Sequence, residues 1–272
     1  MTVNEQNSKE SIKSNKNLWL YRVAILVCLL VFLTSAFFLG QWLYENYQTS
    51  QLTEQVQSMV GASESTVTEE GVEVLPPVEE EKPVLLSDLS LEQLKAQNAD
   101  TVGWLRVSGT NVNYPVVQTG DNDYYLKRDF YRRWTNAGWI YGDYRCNFQN
   151  ISANKNLIIY GHGRRDMSMF GSLEYCRRSW WLNNPAYHTI TLATPNETTV
   201  WRIFAVYTTS VDFYYIRTEF DEISQFTNLV EEMKARSLRD FGVAVSETDT
   251  ILTLSTCTTD ADRLVVHAVL VK

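Results

Sequence analysis

No charge interrupts the apolar run from Val23 to Leu43, about 21 residues, and at 1.5 Å per residue a helix of that length crosses a hydrocarbon core of roughly 30 Å. The pattern predicts a membrane-spanning helix. From Tyr44 to about Pro83 the chain turns polar and acidic, with Glu64, Glu69, Glu70, Glu73, the run Glu79 to Glu81, and Pro76, Pro77 and Pro83. Such a segment buries too little apolar surface to offset its ordering entropy, so it reads as a tether, with Gln51 to Met59 extending the membrane helix for a few turns.

Beyond residue 84 the pattern changes again. Ser90 and Gln93 have the spacing of a capping box, with Leu91 and Leu94 supplying an apolar face, which predicts a helix over Leu89 to Ala99. Short runs rich in β-branched and aromatic residues follow at Gly103–Val107, Val112–Val117, Trp139–Tyr141, Asn156–Tyr160, Thr189–Leu192, Val200–Tyr207, Thr250–Thr256 and Leu264–Val271, separated by Gly, Asn, Asp and Pro. Eight strands are enough for a small closed barrel. One helix interrupts them, where Ile223, Phe226, Leu229, Val230 and Met233 keep helical spacing across Ile223 to Arg236. The fold class expected is mainly β: an eight-stranded barrel with peripheral helices, preceded by a transmembrane helix and a linker.

Composition narrows the partners. A formal charge of -8 without a basic stripe argues against nucleic acid, whose phosphates bind through clustered Lys and Arg. Cys28, Cys146, Cys176 and Cys257 show no CxxC spacing and only three histidines accompany them, so neither a metal nor another cofactor is expected. Lys9, Lys13, Lys16 and Arg22 precede the apolar run while Glu45 and Glu54 follow it, which places the N-terminus in the cytoplasm and the bulk of the chain outside. A cleaved signal peptide competes with this reading, but its apolar region would be only about 7 to 15 residues and would end in a small-x-small site.

Three residues carry candidate chemistry. Cys257 ends the run Ile251-Leu-Thr-Leu-Ser-Thr, a strand-end position that the sheet holds firmly and solvent still reaches. His162 ends Leu157-Ile-Ile-Tyr160 between Gly161 and Gly163, which leave its ring clear of neighbouring side chains. Arg263, six positions after Cys257, opens the last strand, where a guanidinium stays close to the thiol and suits an oxyanion. The plainer readings are a buried cysteine, a surface histidine and a solvated arginine. His267 is the competing base. Four residues along one strand face put it roughly 13 Å beyond Arg263, so both cannot touch Cys257, and His267 reads as a packing residue. His188 falls in a turn beside Pro185 and Tyr187, with no evident partner.

Thr253-Leu-Ser-Thr-Cys257, with an arginine opening a Val-rich strand, resembles the sortase active-site signature, and Leu157-Ile-Ile-Tyr-Gly-His162 resembles its histidine strand. The likeness extends to Asn113-Tyr-Pro-Val-Val117, Asp121-Asn-Asp-Tyr-Tyr-Leu126, Ala137-Gly138, Asp143-Tyr-Arg145, Met169-Phe-Gly-Ser-Leu173 and Asp212-Phe-Tyr-Tyr-Ile216, across about residues 88 to 272. The helix before the cysteine strand, together with Ser255, resembles class B. Three positions depart from the pattern: Cys146 where an asparagine is common, Gly163 where an Asn is frequent, and Thr258 where an acidic residue is often seen.

The chain pattern divides the protein into a cytoplasmic tail over 1–22, a transmembrane anchor over 23–43 and a linker over 44–84, and the resemblance implies a sortase-type barrel over 85–272. It implies that Cys257, His162 and Arg263 are catalytic, and that Asn122, Leu126, Tyr215, Ile216, Ser255 and Thr256 line a substrate groove. The activity implied is that of a membrane-anchored cysteine transpeptidase. It would cleave a C-terminal sorting signal of secreted proteins through a thioacyl-enzyme and pass the acyl group to an amine of a peptidoglycan precursor or a pilin lysine. Two alternatives compete with this activity: a cysteine hydrolase in which water resolves the thioester, and a non-catalytic surface module that binds peptides.

Overall fold

A computed structural model describes the backbone of residues 3–59, 88–257 and 262–271 and the side chains of 19–59, 91–256 and 262–271. Residues 60–87, the side chains of Lys9, Lys13, Lys16, Ser90 and Cys257, and Thr258 lie outside the described residues; the helix expected from Leu89 begins at Asp88, so Ser90 lies inside it and is not its cap. The chain divides into two compact units, Met1–Gln48 and Thr49–Lys272.

In the first unit, helix α1 (Val3–Ser58) carries the apolar run, and from Trp19 onward it is long and apolar enough to cross a membrane. Its last turns belong to the second unit. There Leu52 and Val56 are buried in the main core and the Gln57 side-chain amide donates to the Asn113 carbonyl at 2.8 Å. The polar stretch read as tether therefore begins as packed helix, and Leu52, Val56 and Met59 are the i, i+4, i+7 positions that face the protein.

Among the described residues eight strands close a barrel in the order β1-β2-β3-β4-β7-β8-β6-β5. They are β1 (Thr101–Val107), β2 (Asn113–Val117), β3 (Tyr141–Gly142), β4 (Asn156–His162), β5 (Thr189–Ala193), β6 (Thr198–Ser210), β7 (Ile251–Cys257) and β8 (Asp262–Leu270). The helices α2 (Asp88–Gln97), α3 (Ser179–Leu182) and α4 (Ile223–Arg236) lie outside the sheet. Closure leaves no open edge for pairing with another chain. Most neighbours are antiparallel, but β2 with β3 and β4 with β7 run parallel. In β4 every residue from Asn156 to Gly161 is buried, the continuous apolar character expected of a strand covered on both faces.

Trp139, Trp201, Leu105, Ile158, Leu252, Leu254 and Val266 lie in the main core. A second cluster forms where α4 sets Phe226, Val230 and Met233 against Phe204, Val265 and Val269. Truncating Phe226 to Ala would cost about 3–5 kcal/mol, because a buried ring leaves a cavity that its neighbours fill only in part. α4 thereby covers the flank of β6, β7 and β8 and fixes the crossover that leads into the cysteine strand.

Candidate active site

The parallel ladder between β4 and β7 runs for seven consecutive pairs, from Asn156↔Ile251 to His162↔Cys257. Two strands that start level and run the same way end at the same rim, so positions 162 and 257 become the last Cα partners although 95 residues separate them in sequence. β8 returns antiparallel to β7 with Ser255 opposite Val265, and the Leu264 N–H then bonds Thr256 Oγ1 at 2.9 Å. The ladder ends at that pair, and the Thr256–Leu264 bond beyond it brings the residues next to positions 257 and 263 together. Arg263 is half-buried, and its Nη1 donates to the Asp262 carbonyl at 3.0 Å. The backbones at positions 162, 257 and 263 thus gather at one end of the barrel.

The His162 ring is held from the far side of the rim. Nε2 lies 2.7 Å from the Leu126 carbonyl. A carbonyl only accepts, so Nε2 carries the proton and Nδ1 is the nitrogen left to exchange one. Leu126 sits in a 3-10 turn (Tyr124–Lys127) that Asp121 starts by accepting from the N–H groups of Asp123 and Tyr124, both at 2.8 Å. Gly138 makes room: at φ +59°, a Cβ there would lie 2.7 Å from His162 Cδ2 and 2.8 Å from the Leu126 oxygen. Only glycine suits both that φ and that approach.

Of the groove residues expected from sequence, Asn122, Leu126 and Ile216 are half-exposed while Tyr215, Ser255 and Thr256 are buried. Tyr215 and Ser255 bond hydroxyl to hydroxyl at 2.8 Å. Tyr215 and Ser255 thus meet in the interior, while Asn122, Leu126 and Ile216 reach solvent.

Bonded to Asn122 is a charged group that the sequence reading quoted only as part of a motif. Asp143, fully buried, accepts from Arg145 Nε at 2.8 Å and Nη2 at 2.7 Å, from the Arg145 N–H at 2.9 Å, from Tyr160 OH at 2.8 Å and from Asn122 Nδ2 at 3.1 Å. Burial alone would raise this carboxyl, but the Arg145 and Tyr160 bonds and the guanidinium charge outweigh it and hold it below the usual carboxylate range. An acid and a base one residue apart, directly after the apolar run at Trp139, was the sequence signal for it.

The other titratable groups separate cleanly. Cys146 and Cys176 are free, buried thiols, and burial pushes Cys146 up to about 12 and Cys176 upward as well, so neither is poised as a nucleophile. His267 is fully buried on β8, with Nε2 2.8 Å from Tyr207 OH and Nδ1 2.9 Å from Thr253 Oγ1. Burial lowers it to about 3, which fits the packing role read from its spacing. His188 does have neighbours: its ring packs against Trp181 and Phe241, with centroids 5.0 and 4.8 Å away.

Comparisons with known proteins point to one family. The family model described as "Sortase domain" matches residues 105–271. The sortase B of Listeria monocytogenes is 36% identical over 251 residues, covering 90% of this chain and 94% of its own. A crystal structure of Bacillus anthracis sortase B in complex with AAEK2 superposes with a TM-score of 0.68 at 34% identity, covering 83% of this chain and 97% of its own. A Staphylococcus aureus sortase B-substrate complex gives a TM-score of 0.62 at 34% identity, covering 67% and 85% respectively.

Proposed function

This chain belongs to the sortase family, in its class B branch of cell-wall transpeptidases, and from that premise we propose that Cys257 is the nucleophile, His162 the proton carrier and Arg263 the oxyanion partner in cleavage of a sorting signal. The observation that carries this reading is the β4–β7 register, which makes positions 162 and 257 Cα neighbours at the rim where β8 begins. The Cys257 thiol gives its proton to His162 Nδ1, and the thiolate attacks the scissile carbonyl of the peptide. Arg263 and a backbone N–H hydrogen-bond the oxygen that gains charge, where fixed donors in a water-poor site act most strongly. Collapse breaks the C–N bond, His162 protonates the departing amine through Nδ1, and a thioester remains. An incoming amine then attacks the thioester, gives its proton to His162 and leaves as the amide, releasing the thiolate.

The substrate is the C-terminal sorting signal of a secreted protein, and the acceptor is an amine of a peptidoglycan precursor or a pilin lysine. A substrate complex of the Staphylococcus aureus relative supports a peptide in the groove. Asn122, Leu126 and Ile216 meet the peptide, and Tyr215, Ser255 and Thr256 complete the groove. Residues 23–43 anchor the enzyme in a single pass, and the positive charges before them put the N-terminus inside and the barrel outside.

Full-length protein in detergent, incubated with sorting-signal peptides and an amine, should give a thioacyl adduct and a ligated product by mass spectrometry. Cys257→Ala should give neither while its thermal transition is retained. Transpeptidation by Cys257→Ala would remove the nucleophile assignment, and release of free acid despite abundant amine would make the enzyme a hydrolase.

A further inference from the structure

Between β6 and α4 the residues Tyr214 to Phe220 form no regular element, and yet three successive carbonyls of this stretch accept hydrogen bonds from side chains of other segments. Asn156 Nδ2 donates to the carbonyls of Tyr215 at 3.1 Å and Arg217 at 2.9 Å, and Arg145 Nη2 donates to the carbonyl between them, Ile216, at 3.1 Å. Arg145 Nη1 also reaches Tyr214 OH at 3.4 Å. Two clamps therefore alternate along an extended chain, doing with side chains what a neighbouring strand does with its backbone.

The two clamps differ in what stands behind them. Asn156 is a buried residue of β4 and moves only with the barrel. Arg145 is steered by the buried Asp143, whose remaining bonds go to Tyr160, two residues before His162 on β4, and to Asn122, whose Oδ1 in turn accepts the Tyr144 N–H at 3.1 Å. One ion pair thus ties the histidine strand to two of the three half-exposed residues, Asn122 and Ile216. A guanidinium is suited to this, because it offers a planar fork to the carboxylate and keeps an N–H for a third acceptor, which an ammonium on a flexible stem cannot do in the same geometry.

We propose that Arg145, held by Asp143, is a positioning residue that sets the width and register of the peptide groove by fixing the Tyr214–Ile216 wall against Asn122, and so governs which sorting peptide is accepted. The proposal rests on the groove reading given above. In this role Arg145 acts through Ile216, Tyr214 and, by way of Asp143, Asn122.

Arg145→Met keeps the aliphatic stem and removes the fork. In the full-length protein it should raise KM for the preferred peptide by about 10- to 100-fold, the scale on which misplaced positioning groups act, with kcat changed much less. Selectivity against a scrambled peptide should shrink by a similar factor. The rate at which a small thiol reagent modifies Cys257, which needs no groove, should stay within about threefold, since a reagent that small meets only the nucleophile. Arg145→Lys should recover only part of the loss. Unchanged KM and selectivity in Arg145→Met would overturn the proposal, as would equal losses in thiol reactivity and turnover, which would place its action on the nucleophile.

Amide exchange separates this proposal from the catalytic reading. Peptides covering 211–222 should exchange faster in Arg145→Met while β4 and β7 stay protected, whether or not any sorting peptide reacts. Exchange there unchanged from the parent protein would end the positioning role even if the enzyme is a transpeptidase. Accelerated exchange in a protein that forms no thioacyl adduct would sink the catalytic reading and leave the clamp standing.

Discussion

The rim where β4, β7 and β8 meet and the core beneath it each hold one histidine, and the two have opposite fates. His162 at the rim spends one ring nitrogen on the Leu126 carbonyl and keeps the other for exchange. His267 has both nitrogens engaged in the core, by Tyr207 and Thr253, with the Phe204 ring stacked 5.9 Å away. The Thr253 hydroxyl donates to Asn156 Oδ1 at 2.7 Å, so it accepts from His267 Nδ1–H, and Nε2 accepts from Tyr207. In the proposed mechanism the rim imidazole carries protons while the core one is a strut, according to how many nitrogens the fold leaves over.

The sharpest break in that comparison is to replace each imidazole by an amide. His162→Gln should lower kcat/KM for transpeptidation by about 10²- to 10⁴-fold, the span that general acid–base groups supply, with little change in thermal stability. His267→Gln should do the reverse. A buried network that loses a well-placed partner costs about 1–3 kcal/mol, read as a lower denaturation midpoint, while the folded fraction keeps its turnover. Equal effects of both substitutions on rate would erase the distinction between rim and core.

Acid sharpens the same contrast through stability. His267 is lowered to about 3 in the fold, so between the ordinary imidazole range and that value the unfolded chain binds a proton that the folded chain refuses. Stability therefore rises with pH across this window and is lost as pH falls below about 6.5, by up to roughly 1.4 kcal/mol per pH unit for one such group. Burial also lowers His188 and adds to the same slope. Asp143 acts further down. Its contribution is full above the ordinary carboxylate range and is lost as pH falls through its depressed folded value. Denaturant melts from pH 7.5 to 4.5 should show the slope, and His267→Gln should flatten it in part; a slope untouched by that substitution would mean that His267 is charged inside the fold.

Much of this was legible in the chain. Leu157-Ile-Ile-Tyr160 reads as a strand because β-branched residues crowd it, and α4 emerged with its bounds intact because Phe226, Val230 and Met233 repeat at helical spacing. Cys257, His162 and Arg263 stood out at strand ends. What the sequence hid was pairing between distant segments. No local pattern says that β4 and β7 run parallel in register, and the reach of Asp143 to Asn122, Tyr160 and Arg145 depends on three segments folding together. The short helix α3 and the 3-10 turns, three to seven residues long, are too short to repeat an apolar period along the chain. The helical extension over Gln51 to Met59 was read from the sequence and α1 runs to Ser58, but acidic and amide neighbours gave no sign that Leu52 and Val56 would be buried against the barrel's core.

The mildest test removes a single oxygen from the core. Tyr207→Phe deletes the hydroxyl that donates to His267 Nε2 and keeps the ring, whose centroid lies 5.4 Å from the imidazole and 6.2 Å from Phe213. The packing survives, so the loss is confined to one hydrogen bond and one buried acceptor left without a donor, together about 1 kcal/mol. Thr253 and Asn156 keep their bond to each other, and through it the hold on Tyr215 and Arg217. Peptide turnover and KM should therefore match the parent protein while the denaturation midpoint drops slightly. A matching drop in kcat would mean that the core histidine communicates with the rim, and the division of labour between the two histidines would have to be given up.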